Sequence, residues 1–180
     1  MSVERDHGVA RLVERFRQGD AGAMSALFEL YVDRVFGYAL HILDQREDAE
    51  DVASDAFIRA FRRASDFRGD CPFSGWLFTI TRNLCRDRLR QPRLLTLPRW
   101  EDEAVDAGEA ERAQVRLDVR RALAALPEDY RDTLVLCDVE EWDIREAAEV
   151  IGRSPAAAKS LLYRARRALR DQLAECWKEE

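Results

Sequence analysis

Apolar residues recur at three- and four-residue intervals along most of this chain, and that period admits one class of secondary structure. Leu27, Leu30, Tyr31, Val35, Tyr38, Ala39 and Ile42 form a single stripe of a long helix. Asp20 can cap it, with Gly19 closing a shorter helix before it. Ala49, Val52, Ala53, Ala56, Phe57, Ala60, Phe61 and Ala64 repeat the helical spacing without a fault. Phe73, Trp76, Leu77, Ile80 and Leu84 make a third stripe, running out into Arg86, Arg88 and Arg90. No stretch of β alternation competes, so the fold class is all-α.

The pattern then breaks. From Gln91 the chain gives Pro92, Pro98 and the run WEDEAVDAGEAE, with no apolar period between Thr96 and Glu111. Helical periodicity resumes near Val115, with Leu117, Val119, Leu123 and Leu126. The expected architecture is two small helical domains, residues 1–90 and 113–180, joined by an acidic flexible linker, 91–112. A chain of 180 residues suits that division.

Several function classes fall away. No apolar run approaches the roughly 20 residues needed to cross a bilayer, and the N-terminus has no apolar h-region. The expectation is a cytoplasmic protein without membrane insertion. Cys71, Cys85, Cys137 and Cys176 are widely spaced, without the C-x-x-C of zinc ribbons or thioredoxin-like redox sites. The two histidines, His7 and His41, leave little for triad or metal chemistry. The acidic run at 47–51 has no accompanying Glu-x-x-His, so it does not read as a di-iron site. No catalytic residue, metal or cofactor is expected.

The net charge of −6 hides strong local blocks. Residues 44–55 hold six acids and one Arg, and residues 82–93 five Arg and one Asp. Residues 128–149 hold nine acids and two Arg, whereas 153–170 hold five Arg and Lys159 with no acid. Charge runs on helices are commonly solvated faces. Two alternations of acid and base on helical patterns instead suggest binding faces, because nucleic-acid binding needs local rather than global positive charge.

The C-terminal unit carries the sharpest motif. Pro127 opens a helix with Tyr130, Leu134 and Cys137 inward. A short helix follows on Ile144, Ala147, Ala148 and Ile151, and Gly152 supplies a tight turn. Ser154 and Pro155 are an N-cap and a first-turn proline. The last helix has Ala158, Leu161 or Leu162, Ala165 and Leu169 on its apolar face and is basic elsewhere. This is a helix-turn-helix pattern; spacing alone also fits an ordinary helical hairpin. In the N-terminal unit, Phe67, Phe73, Trp76 and Phe78 interleave with Arg68, Arg82, Arg86 and Arg88. That mixture suits single-stranded nucleic acid, where bases stack on rings and phosphates meet Arg. Trp76 and Ile80 are expected to be partly buried, and the loop carrying Phe67, Arg68 and Asp70 is the candidate for surface contact.

Three segments, DAEDV followed by D-x-F-x-R-A-F, F-x-x-W-L-x-x-I-x-R-N, and L-P-x-x-x-R, occur here in order. With them, residues 27–90 resemble region 2, and residues 122–169 region 4, of bacterial sigma factors of the extracytoplasmic-function type. The resemblance implies a non-enzymatic protein that binds core RNA polymerase, directs it to promoters and melts DNA. It assigns Asp48, Asp51, Asp55, Phe57 and Arg59 to docking on the clamp helices of the largest polymerase subunit, with the flap of the second-largest as a further contact. It assigns Phe67, Arg68, Asp70, Trp76, Asn83 and Arg86 to the −10 element, bound as single strand, with Phe67, Arg68 and Asp70 lining a pocket for a flipped base.

By the same resemblance the recognition helix enters the major groove of duplex at −35, through Ser154, Ala156, Ala157, Lys159, Ser160, Tyr163, Arg164, Arg166 and Arg167. The acidic tether takes the polymerase's RNA path, and an anti-sigma factor is an implied partner. The chain departs from the family in Ala156-Ala157-Ala158-Lys159-Ser160-Leu161, where Leu161 stands at a usual Arg position and alanines offer thymine-methyl contacts only. Cys71-Pro72 replaces small polar residues in the −10 loop. A conventional helix-turn-helix regulator would explain residues 113–177 but leave the first 90 without a role. A helical enzyme or scaffold has no nucleophile, base or metal set to support it. Dependence on core polymerase separates the first two readings.

Overall fold

The computed structural model describes residues 2–91 and 107–177. Helix α1 (Ser2–Arg17) ends at Gly19, whose φ of 80° only glycine adopts freely. Asp20 caps α2 (Ala21–Leu43) by accepting from the Ala23 N–H, as the sequence predicts. Asp44, in the left-handed region, closes α2. Then come α3 (Arg46–Arg62), a 3₁₀ turn (Ala64–Asp66) and α4 (Phe73–Arg90). Together α1 to α4 make the first helical unit.

The second unit comprises α5 (Ala107–Ala125), α6 (Glu128–Leu134), α7 (Ile144–Ile151) and α8 (Pro155–Cys176). A π-helical turn (Val135–Val139) extends α6. Of the expected linker, 92–106 lies outside the described residues, and 107–112 opens α5. No strand occurs among the described residues.

The helical stripes are the buried faces. Phe16, Leu27, Val35, Tyr38, Ala56, Phe57, Leu77 and Phe78 fill the first unit. Leu30, 48% exposed, and Val115, 45%, are exceptions. At about 100° per residue the other members of the Leu30 stripe span about 120°, and Leu30 falls about 60° outside that arc. In the second unit Leu123, Leu126, Leu134 and Ala165 form a small core. The larger core does not stop at the boundary between units. It continues through Val135, Leu136, Trp142, Ala147, Val150 and Ile151, with the Phe78 and Trp142 rings 4.8 Å apart.

Phe67 corrects the expectation of a surface ring. It is 3% exposed, with Phe73 and Trp76 centroids at 5.9 and 5.2 Å. The 3₁₀ turn folds the chain back so that Phe67 drops onto the first turn of α4. Phe67→Ala should therefore lower unfolding free energy by about 3–5 kcal/mol in urea titrations, as for a core phenylalanine. A loss below about 1 kcal/mol would return the ring to the surface.

Candidate polymerase-facing and nucleic-acid interfaces

On α3, Asp48, Asp51, Asp55 and Arg59 follow helical spacing on the side away from the core. Asp51, Asp55, Ile58 and Arg59 are exposed. Asp48 is partly covered, ion-paired with Arg88 of α4, and Asp51 lies 3.7 Å from the same guanidinium. Phe57 belongs to the core, 2% exposed, and makes an edge contact with the half-exposed Phe28. The acidic face is thus Asp51 and Asp55, with an apolar flank of Phe28 and Ile58.

The second candidate face divides. Arg68 and Asp70 are exposed on the loop, where Gly69 has φ 81°, and Asn83 is exposed on α4. Trp76 and Ile80 are partly buried, as expected, Trp76 against Phe16, Phe67 and Phe73. Arg86 points elsewhere: its Nη2 donates to Asp129 and, at 3.1 Å, to Asp132.

The third face is α8. Ser154 caps it through the Ala157 N–H, Pro155 occupies its first turn, and Gly152 makes the preceding left-handed turn at φ 69°. Ala158, Leu161 and Ala165 face inward. Ala156, Ala157, Lys159, Ser160, Tyr163, Arg164, Arg166 and Arg167 are exposed, Tyr163 at 72%. Arg166 is already engaged by Asp138 of the π-helical turn.

The sequence reading missed a polar network between the two units. Asp132, 2% exposed, accepts from Tyr38 Oη at 3.0 Å, Arg82 Nε at 2.6 Å and Arg86. Asp129 accepts from Arg82, Arg86 and Arg153. Arg131 donates to the carbonyls of Leu123, Ala124 and Leu126 at the end of α5 and of Ile42 near the end of α2. Helix C-terminal carbonyls are short of backbone donors, and a cation is favoured there. Arg34 pairs with Glu140 at 3.1 Å and lies over the Phe78 and Trp142 rings. Two buried side-chain polar atoms lack a hydrogen bond among the described residues, Arg86 Nε and Trp142 Nε1, and both sit at this junction. The available signal was the complementarity of block 128–149 to block 82–93.

Among the described residues no cluster of His, Cys, Asp and Glu could hold a metal ion, and no helix is long and apolar enough to cross a membrane. Residues 27–94 match the Sigma-70 region 2 family and residues 116–169 the Sigma-70 region 4 family. The chain is 35% identical to the ECF RNA polymerase sigma factor SigE of Mycolicibacterium smegmatis, over 87% of this chain and 65% of that protein. It is 32% identical to the RNA polymerase sigma factor CarQ of Myxococcus xanthus, covering 91% and 96% of the two chains. A solved structure of CnrH in complex with the cytosolic domain of CnrY superposes with a TM-score of 0.72 at 28% identity, covering 91% and 96%.

Asp129 and Glu140 have opposite responses to protonation. Burial raises the Asp129 pKa, but hydrogen bonds from Arg153 and Arg86 and nearby guanidinium charge outweigh it and hold the carboxyl below its ordinary 3.8. Asp129 therefore stabilises the folded chain above its unfolded pKa and loses that contribution as pH falls through its lowered one. For Glu140, burial outweighs Arg34 and raises the pKa above 4.5, so ionisation opposes folding. Asp129→Asn should lower the melting temperature at neutral pH, by an amount that shrinks as pH falls below 3.8. Glu140→Gln should leave it unchanged or raised. Melting curves across that range check both signs; a pH-independent deficit in Asp129→Asn would refute the ionic role.

Proposed function

We propose that this chain, which belongs to the extracytoplasmic-function sigma factors of the sigma-70 family, binds core RNA polymerase in the cytoplasm and directs it to promoters, where it promotes DNA opening. Sigma factors of this family are non-enzymatic initiation factors, and this chain carries no chemistry of its own. The observation that carries the reading is the order of its parts. A region 2 match over 27–94 and a region 4 match over 116–169 account for both halves, whereas a conventional operator-binding regulator leaves the first half unexplained. The deciding experiment mixes the chain with core polymerase and asks for co-migration and for transcription from a defined promoter. Binding to duplex alone, with no dependence on core, would favour the regulator.

Within that reading, Asp51 and Asp55 meet the clamp helices, oriented by electrostatic complementarity, and Arg59 flanks them. Asp48 and Phe57 hold this face in place, through Arg88 and Phe28 respectively. Arg68, Asp70 and Asn83 contact the −10 strand, with Trp76 beneath them. Phe67 supports their loop from inside. On α8, Lys159, Ser160 and Tyr163 face the −35 bases, and Arg164 and Arg167 its phosphates. An anti-sigma factor would be the inhibitory partner.

Asp51→Arg combined with Asp55→Arg should abolish core binding while leaving helicity and melting temperature nearly unchanged, since both side chains are exposed. Affinity within about twofold of wild type, a few tenths of a kcal/mol, would remove this assignment. Arg164→Ala should weaken duplex binding across sequences and reduce the salt slope by about 1. An unchanged slope would mean that α8 does not lie along DNA.

A further inference from the structure

We infer that Arg88 of α4 is an internal occupant of the acidic docking face, pairing with Asp48 and Asp51 of α3 until cations of the polymerase displace it, and that it thereby sets how tightly the face binds. Its role in docking rests on the proposed clamp contact; the pairing does not. Of the five acids of α3, Asp48 and Asp51 share the Arg88 guanidinium and Glu50 pairs with Arg46. Glu47 and Asp55 have no ion pair among the described residues. The two occupants differ. Arg46 and Glu50 lie one turn apart on the same helix, both more than half exposed, an arrangement worth little in water. Arg88 reaches across from the last turn of another helix, and its side chain and that of Asp48 are 38% and 18% exposed. Its Nε donates to Asp48 Oδ1 at 2.8 Å and its Nη2 to the same oxygen, with Asp51 Oδ2 3.7 Å from Nη2. The hydrogen bond to Asp48, with the charges of both carboxylates, outweighs desolvation and raises the Arg88 pKa above the ordinary guanidinium range.

Neither helix needs this pair for itself. Asp48 is in the first turn of α3 and Arg88 in the last turn of α4, where the helix dipole favours each sign whether or not the two meet. What the pair adds is neutralisation, one positive charge set against two negative ones where a cationic partner would dock. A carboxylate offers the same lone pairs to an internal and an external cation, so a partner must exchange with Arg88 rather than meet a vacant acid. Exchange subtracts the internal pair from the affinity. It also selects among partners, because a single cation only replaces Arg88, whereas several aligned along α3 meet Asp55 as well.

The test titrates labelled full chain with core polymerase, read by anisotropy from low to physiological salt. Arg88→Gln should bind core about threefold or more tighter at low salt, and the gain should shrink as salt rises. Arg90→Gln removes the same charge from the same turn without vacating a carboxylate of α3, since Arg90 approaches Asp87, at 4.0 Å. It should gain no more than about half as much. Arg88→Lys keeps the charge and should stay near wild type. Arg88→Met keeps the aliphatic stem and decides the matter if Arg88→Gln loses helicity. Unchanged or weaker binding in the Arg88→Gln and Arg88→Met chains overturns the occupancy and leaves Arg88 a brace for the face. Equal gains from Arg88→Gln and Arg90→Gln also overturn it, since net charge alone then accounts for the effect. Asp51→Arg with Asp55→Arg separates the two readings. If that pair leaves core binding intact, the clamp contact fails and the occupancy with it; if it abolishes binding while the Arg88 variants gain nothing, the occupancy alone fails.

Discussion

A carboxylate buried between two helical units persists only if the lone pairs it turns inward are met, and the donors to Asp132 all come from the other unit. Removing two opposite charges from water costs several kcal/mol per ion, recovered only with good geometry and additional hydrogen bonds. Tyr38, Arg82 and Arg86 supply that geometry. Burial and the Asp132 charge hold the Tyr38 phenol neutral, so it remains a donor. The next residue back, Arg131, ties the ends of α5 and α2 to α6. Two adjacent positions thus fix α6 against α2, α4 and α5, and the placing of α7 and α8 follows from α6.

Much of the fold was legible because each helix buries one face and shows it as a stripe. Asp20, Gly19, Gly152 and Ser154 with Pro155 were legible for a different reason: each satisfies a local backbone requirement that needs no tertiary information. Phe67 was not legible, because a 3₁₀ turn between helices has no periodicity to declare which way its next ring falls. The π-helical turn was equally silent. Its extra residue shifts the helical phase, so that Val135 and Leu136 are both buried beside Leu134.

The candidate site was half legible. Helix phase placed Asp51, Asp55, Asn83, Tyr163, Arg164 and Arg167 at the surface, where the structure has them. Arg86 and Arg166 defeated it. A run of like charge announces attraction to an opposite charge, and Coulomb's law does not say whether that charge is on a partner or elsewhere in the same chain. Here block 128–149 answers block 82–93 through Asp129 and Asp132, and Asp138 answers Arg166. The segment named by L-P-x-x-x-R gains a physical meaning from the same geometry, since its Arg131 is a helix-end cap.

The Arg82–Asp132 pair also sets a rule of inheritance for the two halves. A side chain 8% exposed in one half, whose charge is met from the other, makes residues fifty positions apart a single unit of substitution. Loss of either partner alone strands a buried ion, whereas replacing both with apolar groups of matching volume does not. A hybrid that joined this N-terminal half to a relative's C-terminal half would assemble normally only if the graft brought a carboxylate to the position of Asp132. The interchangeable parts in such a lineage would be whole chains, not separate halves.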